Sequence, residues 1–302
     1  MNTPEVSVVM SVYNGAEHLE QTLRSVLTQE GCEFEFVVVD DGSTDDTGRI
    51  LDEWAARDER LRVIHQENTG LTRALIRGCA EARGEFIARQ DAGDVSLPGR
   101  LKEQSHFLRS HPEIVVVASA VRFIAPGNEW LFDVEPPEII QISPDIKNIK
   151  VPSLVGTLFR RDAYIQVGGF RREFYVAQDV DLWLRLIELG PCRGTKMLHY
   201  QAMMTIGGIS SRRRPEQIQA AVIAIECAKR RRSLQSELEL LDAFTKTAVP
   251  RHNQTRWKQA SFYYFIAACL HKHNANAAHG YFGQAVRLNP FHVKALFRWF
   301  VG

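Results

Sequence analysis

The chain lacks the features of a stapled, exported or membrane-spanning protein. Its five cysteines, at 32, 79, 192, 227 and 269, are odd in number and include no CxxC pair. That argues against a disulfide framework or a zinc site and predicts free thiols in a reducing compartment. The longest apolar run, Phe262 to Leu270, is nine residues, too short to cross a bilayer. Met1-Asn-Thr-Pro-Glu5 carries no basic region ahead of the first apolar stretch, so no signal peptide is expected and the cytoplasm is the expected location. A Gly-rich, cation-bearing phosphate loop is missing as well. Tyr13-Asn-Gly-Ala-Glu-His18 stands after the first apolar run, where an enzyme holding a triphosphate would carry one.

What is present is ordinary for globular protein, with 45% hydrophobic and 24% charged residues among 302. The net charge of +1 hides a split: residues 1–209 hold 22 Lys and Arg against 31 Asp and Glu, and residues 210–302 hold 15 against 5. Two units are therefore expected, an α/β domain over 1–209 and a basic helical region over 210–302.

Val6 to Val12 and Phe34 to Val39 are continuous apolar runs that read as buried strands, with Arg62 to Ile64 and Phe86 to Ala88 as shorter ones. Between them Leu19, Leu23, Val26 and Leu27 repeat at helical spacing, as do Leu71, Leu75 and Cys79. Strands alternating with helices predict right-handed βαβ units around a largely parallel sheet. Further strands are expected at Ile114 to Val117 and Leu154 to Phe159, and a helix from about Asp179 to Leu189. The proline-bearing 122–153 reads as an irregular excursion over the sheet. After Ser210, helices are expected over 217–231, 234–245, 257–271 and 277–288. The last two resemble one tetratricopeptide-like hairpin, too few repeats for a solenoid.

The chemistry centres on Phe86-Ile-Ala-Arg-Gln-Asp91-Ala-Gly-Asp94. Asp91 and Asp94 fall just past a strand's carboxyl end, where open α/β sheets bind ligands. A close acidic pair suits a hard divalent cation completed by phosphate oxygens. The alternative makes Asp91 a turn former and Asp94 the cap of a helix opened by Ser96 and Pro98.

Five stretches taken in order carry a family resemblance: Val6-Ser-Val-Val-Met-Ser-Val-Tyr-Asn14, Val38-Val-Asp-Asp-Gly-Ser-Thr-Asp45, Asn68-Thr-Gly-Leu71, Ile87-Ala-Arg-Gln-Asp-Ala-Gly-Asp94 and Ala177-Gln-Asp-Val-Asp-Leu-Trp-Leu-Arg185. Together they resemble the ordered motifs of family 2 glycosyltransferases over roughly residues 5–210. The resemblance implies the GT-A fold with a mainly parallel sheet, here followed by an all-α tail. It also implies a nucleotide-diphospho-sugar donor, Mg²⁺ or Mn²⁺ as cofactor, and inversion at the anomeric carbon. Ser11 and Asp41 would meet the donor's nucleotide, and Asp91 its diphosphate. Asp91 and Asp94 would hold the metal, and Asp179 would be the general base. Asp41 as a turn former and Asp179 as a helix N-cap remain open beside those roles. Asp181 is expected in the helix's first turn, and Trp183 in the acceptor cleft or the core. Four sites depart from the family pattern: Gly93 replaces a second metal-motif Asp, Gln178 a Glu, Val155 a His, and the pair Met203-Met204 a later His.

Two other functions stay open on sequence grounds: a sugar nucleotidyltransferase, disfavoured by the missing Gly-rich loop, and a non-catalytic sugar-nucleotide-binding or scaffold protein. The expected acceptor is a saccharide or lipid-linked. The basic tail suits peripheral contact with the inner membrane face, a dimer contact or a solvated helical surface. Nucleic acid is not expected, because the cations lack interleaved aromatics.

Overall fold

The computed structural model describes residues 3–140, 155–205, 214–247 and 255–301. The first half alternates as expected: β1 Val6–Val12, α1 Ala16–Leu27, β2 Phe34–Asp40, α2 Thr47–Ala55, β3 Leu61–His65, α3 Leu71–Glu81 and β4 Phe86–Asp91. A two-residue strand, β5 Val95–Ser96, then precedes α4 Arg100–Ser110. The helix expected from Ser96 and Pro98 thus starts later, behind Gly99, and Ser96 belongs to a strand. Next come β6 Val116–Ile124, β7 Trp130–Val134, β8 Ile139–Ile140, β9 Thr157–Arg160, α5 Arg161–Gln166, α6 Gln178–Leu186 and β10 Cys192–Met203.

These strands form one sheet in the order β3-β2-β1-β4-β9-β6-β10-β5, with β7 beside β6 and β8 beside β10. The expected parallel pairing holds from β3 through β4. Beyond β4 the sheet is mixed: β9 runs antiparallel to both β4 and β6, while β10 is parallel to β6. Part of the stretch read as an irregular excursion is instead a hairpin, with β7 folding back on β6 through the Pro126-Gly127-Asn128 turn. Residues 141–154, including Pro144, Pro152 and the Leu154 expected to open a strand, lie outside the described residues.

Alternation along the buried strands sends neighbouring side chains to opposite faces. Val8, Met10, Phe36, Ala88 and Val117 pack with Leu19 and Leu23 of α1, Leu51 of α2 and Leu101 of α4. Val9, Ile87, Val116 and Phe159 face the other way, against Leu75, Tyr164, Leu182 and Trp183. Full burial of each large side chain contributes about 1.5–3 kcal/mol, and two such layers are why apolar residues occupy both faces of the central strands.

The helical region is α7 Arg214–Arg232, α8 Leu238–Thr247, α9 Arg256–Leu270, α10 Ala275–Leu288 and α11 Val293–Val301. The four expected helices are present, and α11 is an addition. Ala220, Ala224, Cys227 and Ala228 of α7 and Phe244 of α8 join the core layer that holds α6. The α9–α11 helices form a separate cluster closed by Ala125 and Leu131 at the β6–β7 end. The boundary expected at 209/210 lies outside the described residues.

Candidate active site

Parallel register gathers the acidic sites that the sequence scatters. Ser11 pairs with Asp91 of β4 on one side and with Val39 of β2 on the other, and Val12 pairs with Asp40. One row at the carboxyl edge of the sheet therefore holds residues 39, 11 and 91, and the next holds 12 and 40. Above it, the loops after β1 and β2 are tied together. The backbone N–H of Asn14 donates to Ser43 Oγ at 2.9 Å, and Thr44 N–H donates to Asn14 Oδ1 at 2.8 Å. The Gly15 N–H donates to Thr47 Oγ1 at 2.9 Å. These amides are already engaged with the neighbouring loop, so they do not form an open cradle for phosphates.

Ser11 and Asp41 are both buried at this edge. The Asp41 carboxylate accepts from Gln66 Nε2 at 2.7 Å, Thr69 N–H at 2.9 Å, Thr69 Oγ1 at 3.1 Å and Gly70 N–H at 2.8 Å. It thus orders the 66–70 loop, a longer-range duty than the local turn that was the alternative to nucleotide contact. Asp40 does the local work: it accepts from Ser43 N–H at 3.0 Å and pairs with His65 at 2.9 Å. Those two acidic neighbours hold the His65 imidazole above its ordinary pKa, Asp40 first and Asp52 next.

Asp91 ends β4 with its side chain 41% exposed, while Arg89, two residues back on the same face, is 1% exposed. The Arg89 guanidinium donates to Val9 O at 3.1 Å and pairs with one Asp91 oxygen. Gln90, on the opposite face, shapes the turn that follows. Its Nε2 donates to the carbonyls of both Asp91 and Asp94 at 3.1 Å. Its Oε1 accepts from Ser96 Oγ at 2.8 Å and from Arg100 at 3.0 Å.

The turn leaves Gly93 at φ +94°, a conformation that side chains rarely adopt, although the nearest atom to a Cβ there would be 3.9 Å away. An Asp at 93 would thus be opposed by backbone strain rather than by crowding. Asp94 turns inward instead of capping α4. It is buried, and its Oδ1 accepts Met203 N–H of β10 at 2.9 Å. Desolvation, with the Asp91 charge adding to it, pushes its pKa up to about 8.

Asp179 occupies the first turn of α6, but the cap position belongs to Ala177, which is left-handed at φ +53°. The Asp179 carboxylate is half-buried and accepts Val180 N–H at 2.9 Å. Burial raises its pKa, and the negative charge of Asp91 pushes the same way. The structure therefore brings Asp94 and Asp179 each into electrostatic range of Asp91. Asp181 does lie in the first turn, paired with Arg185 at 2.5 Å. Trp183 is core: it is 1% exposed and meets Phe159 edge-on at 5.8 Å.

Sequence reasoning missed the support beneath this site. Arg100 is fully buried and donates to Ser96 Oγ at 2.7 Å, Arg89 O at 2.7 Å and Thr157 O at 3.1 Å. Its guanidinium lies 4.8 Å from the ring centre of Tyr200, whose hydroxyl accepts Asp91 N–H at 3.0 Å. Burial pulls the Arg100 pKa down to about 10. The readable signal was Arg89-Gln90, two polar residues inside an otherwise apolar strand.

Among the described residues no group of three or more His, Cys, Asp or Glu is gathered to hold a metal ion. What the donor set offers is one exposed carboxylate, Asp91, beside a buried one whose pKa favours the proton. Such a set fits an ion that keeps several waters and takes its remaining ligands from a diphosphate.

Residues 7–168 match glycosyl transferase family 2. EpsE of Bacillus subtilis (strain 168), named as a glycosyltransferase, is 34% identical over 196 residues, spanning 62% of this chain and 68% of its own. The amylovoran biosynthesis glycosyltransferase AmsE of Erwinia amylovora is 32% identical over 191 residues, spanning 61% and 70%. Among solved structures, the mannosyltransferase PcManGT from Pyrobaculum calidifontis, in complex with GDP-Man and Mn²⁺, shares the fold with a TM-score of 0.57. Its identity is 18%, and the likeness covers 98% of this chain and 84% of that one.

Proposed function

Because the chain belongs to glycosyl transferase family 2 and has the GT-A fold, we propose that it moves a sugar, with inversion, from a nucleotide-diphospho-sugar to an acceptor hydroxyl. The acceptor is a saccharide or lipid-linked saccharide of a surface polysaccharide or glycoconjugate, in keeping with the named role of the relative from Erwinia amylovora.

The nucleotide lies over the carboxyl ends of β1 and β2, where Ser11 and the loop ordered by Asp41 meet it. The diphosphate lies toward Asp91, which is held in place by Arg89 from below and by the Tyr200 hydroxyl at its amide. A bound Mg²⁺ or Mn²⁺ would neutralise the departing diphosphate there, with Asp91 as its protein ligand. Asp94 is the support of that turn through Met203 and not a second ligand. Asp179 accepts the acceptor hydroxyl's proton as its oxygen bonds to the anomeric carbon and the bond from that carbon to the phosphate oxygen breaks on the opposite face.

The observation that carries this reading is the Asp179 carboxylate at the start of α6, its pKa raised by burial and by Asp91. A base works best with a pKa close to the operating pH, and this environment moves a carboxylate in that direction. A sugar nucleotidyltransferase is disfavoured because the amides after β1 are consumed by Ser43 and Thr47. The test is Asp179→Asn, with proton NMR of the product's anomeric configuration for the parent enzyme. We expect the inverted product from the parent, and in the variant intact donor binding with transfer reduced roughly 10²–10⁴-fold. Undiminished transfer removes Asp179 as base, and a retained configuration removes the direct displacement.

A further inference from the structure

The basic clusters of the helical region do not all face outward. Of Lys229 to Arg232, Lys229 pairs with Glu226 at 2.9 Å, and Arg230 donates to Ser236 O at 3.2 Å. Arg231 bridges Glu188 at 2.8 Å and Glu237 at 3.0 Å, tying α7 to the end of α6 and the start of α8. Arg212 and Arg213 lie outside the described residues. Lys229, Arg230 and Arg231 are thus engaged by the protein itself.

The last part of the chain is different. After Asp242 it holds eight Lys and Arg and not one Asp or Glu. Its final helix, α11, divides into three stripes around the 100° helical step. Ala295 and Trp299 face inward, with Trp299 lodged against Gly283, where a Cβ would come within 3.0 Å of the indole nitrogen. Lys294 and Arg298 follow each other at i and i+4 on an exposed flank, where Arg298 donates to His271 Nε2 at 2.8 Å. Val293, Phe297 and Phe300 form the third stripe, exposed by 75%, 61% and 73%, and Phe291 just ahead of the helix is 81% exposed. The helix is already anchored through its inner face, so these large apolar side chains contribute nothing to the fold that requires them to be apolar.

We propose that α11 and Phe291 form a docking surface for an anionic lipid bilayer, with the phenylalanines entering the headgroup boundary and Lys294 and Arg298 meeting acidic headgroups. Exposed aromatics alongside a basic flank are the arrangement of helices that lie in a membrane interface. Three observations on this chain select that occupant. The acid-free end removes repulsion from an anionic surface over a whole helical hairpin. An apolar stripe set apart from the cations suits a layered medium, apolar below and charged above, better than a uniformly polar anion such as nucleic acid. Among the described residues no helix is long and apolar enough to cross a membrane, so contact would be from the surface. The consequence for the reaction is local concentration: a docked enzyme meets lipid-linked acceptors in two dimensions.

The experiment is cosedimentation of the full chain with extruded vesicles, either phosphatidylcholine alone or phosphatidylcholine mixed with phosphatidylglycerol. Binding to the mixed vesicles only, weakening with added salt, is expected. Lys294→Gln should weaken it roughly fivefold, the effect of one cation near an anionic surface. Phe297→Ser with Phe300→Ser should weaken it by roughly tenfold or more, and neither variant should change the melting temperature, because these side chains are exposed. The proposal is overturned if the parent stays in the supernatant at low salt or if the phenylalanine pair binds as the parent does. It is equally overturned if sedimentation velocity finds the patch buried in a dimer that the pair variant dissociates. Vesicle binding is read without donor or acceptor, so this result is independent of whether sugar transfer follows the proposed route.

Discussion

Asp94→Asn separates the roles of ligand and structural support. The carboxyl is buried, accepts Met203 N–H at 2.9 Å, and has its pKa pushed from 3.8 to about 8 by desolvation and by Asp91. In the unfolded chain it ionises near its ordinary value. Between those two pKa values the folded protein holds a proton that the unfolded chain has released, so stability falls as pH rises. The slope is about 1.4 kcal/mol per pH unit, and at pH 7 the accumulated loss relative to acid pH is on the order of 4 kcal/mol. Asparagine keeps the oxygen that accepts from Met203 and has no proton to lose. The variant should therefore be more stable than the parent by as much as about 4 kcal/mol at pH 7, gain nothing near pH 4, and show a flatter dependence between. Urea denaturation across that range measures this, and Mn²⁺ titration of nucleoside-diphosphate binding supplies the second readout. Parallel pH profiles for parent and variant would refute the buried, protonated Asp94. A loss of metal-dependent nucleotide binding greater than that of Asp91→Asn would return Asp94 to the metal.

With one exposed carboxylate, Asp91, metal affinity should be weak alone and clear with a nucleoside diphosphate present. Calorimetry with and without the nucleotide measures the coupling, Asp91→Asn should raise the metal concentration required, and full donor binding in excess chelator would dismiss the metal site. A chain ending at residue 209 loses Ala220, Ala224, Cys227, Ala228 and Phe244 from the layer behind α6. That removes several buried contacts from a net stability of about 5–15 kcal/mol, so we expect a much lower melting temperature or no cooperative transition. An unchanged melt would show that the α/β part is self-sufficient.

The sequence by itself determined the alternating half of the fold. β1 and β2 are mostly apolar and β4 opens on Phe86-Ile-Ala88 because both faces are covered, and runs of that kind have few alternatives to central parallel strands. Their closing residues, Ser11, Asp41 and Asp91, were legible for the same reason: the end of such a strand is where polar groups first reappear. The helix carrying Asp179 was legible from its leucine spacing. β10 was not, because Cys192–Met203 mixes polar and apolar residues and passes register shifts around Leu198, so no single period runs through it. The hairpin of β6 and β7 was hidden by the prolines nearby, although its turn is closed by Asn128, which sits at φ +66° and donates its N–H to Ala125 O at 2.9 Å.

Only the tertiary structure decided what each acidic side chain does. Asp94 reads as a ligand or cap in one dimension, yet Met203, more than a hundred residues later, takes its carboxylate into the interior. Asp41 reads as a nucleotide contact or a turn former, and its partners lie at Gln66, Thr69 and Gly70. Arg100 and Tyr200 joined the site without any motif to announce them. A carboxylate's pKa and reach are set by desolvation and by the donors that surround it, and both are supplied by distant segments. Local pattern specifies where a strand ends; long-range packing specifies whether the residue at its end is exposed, paired or protonated.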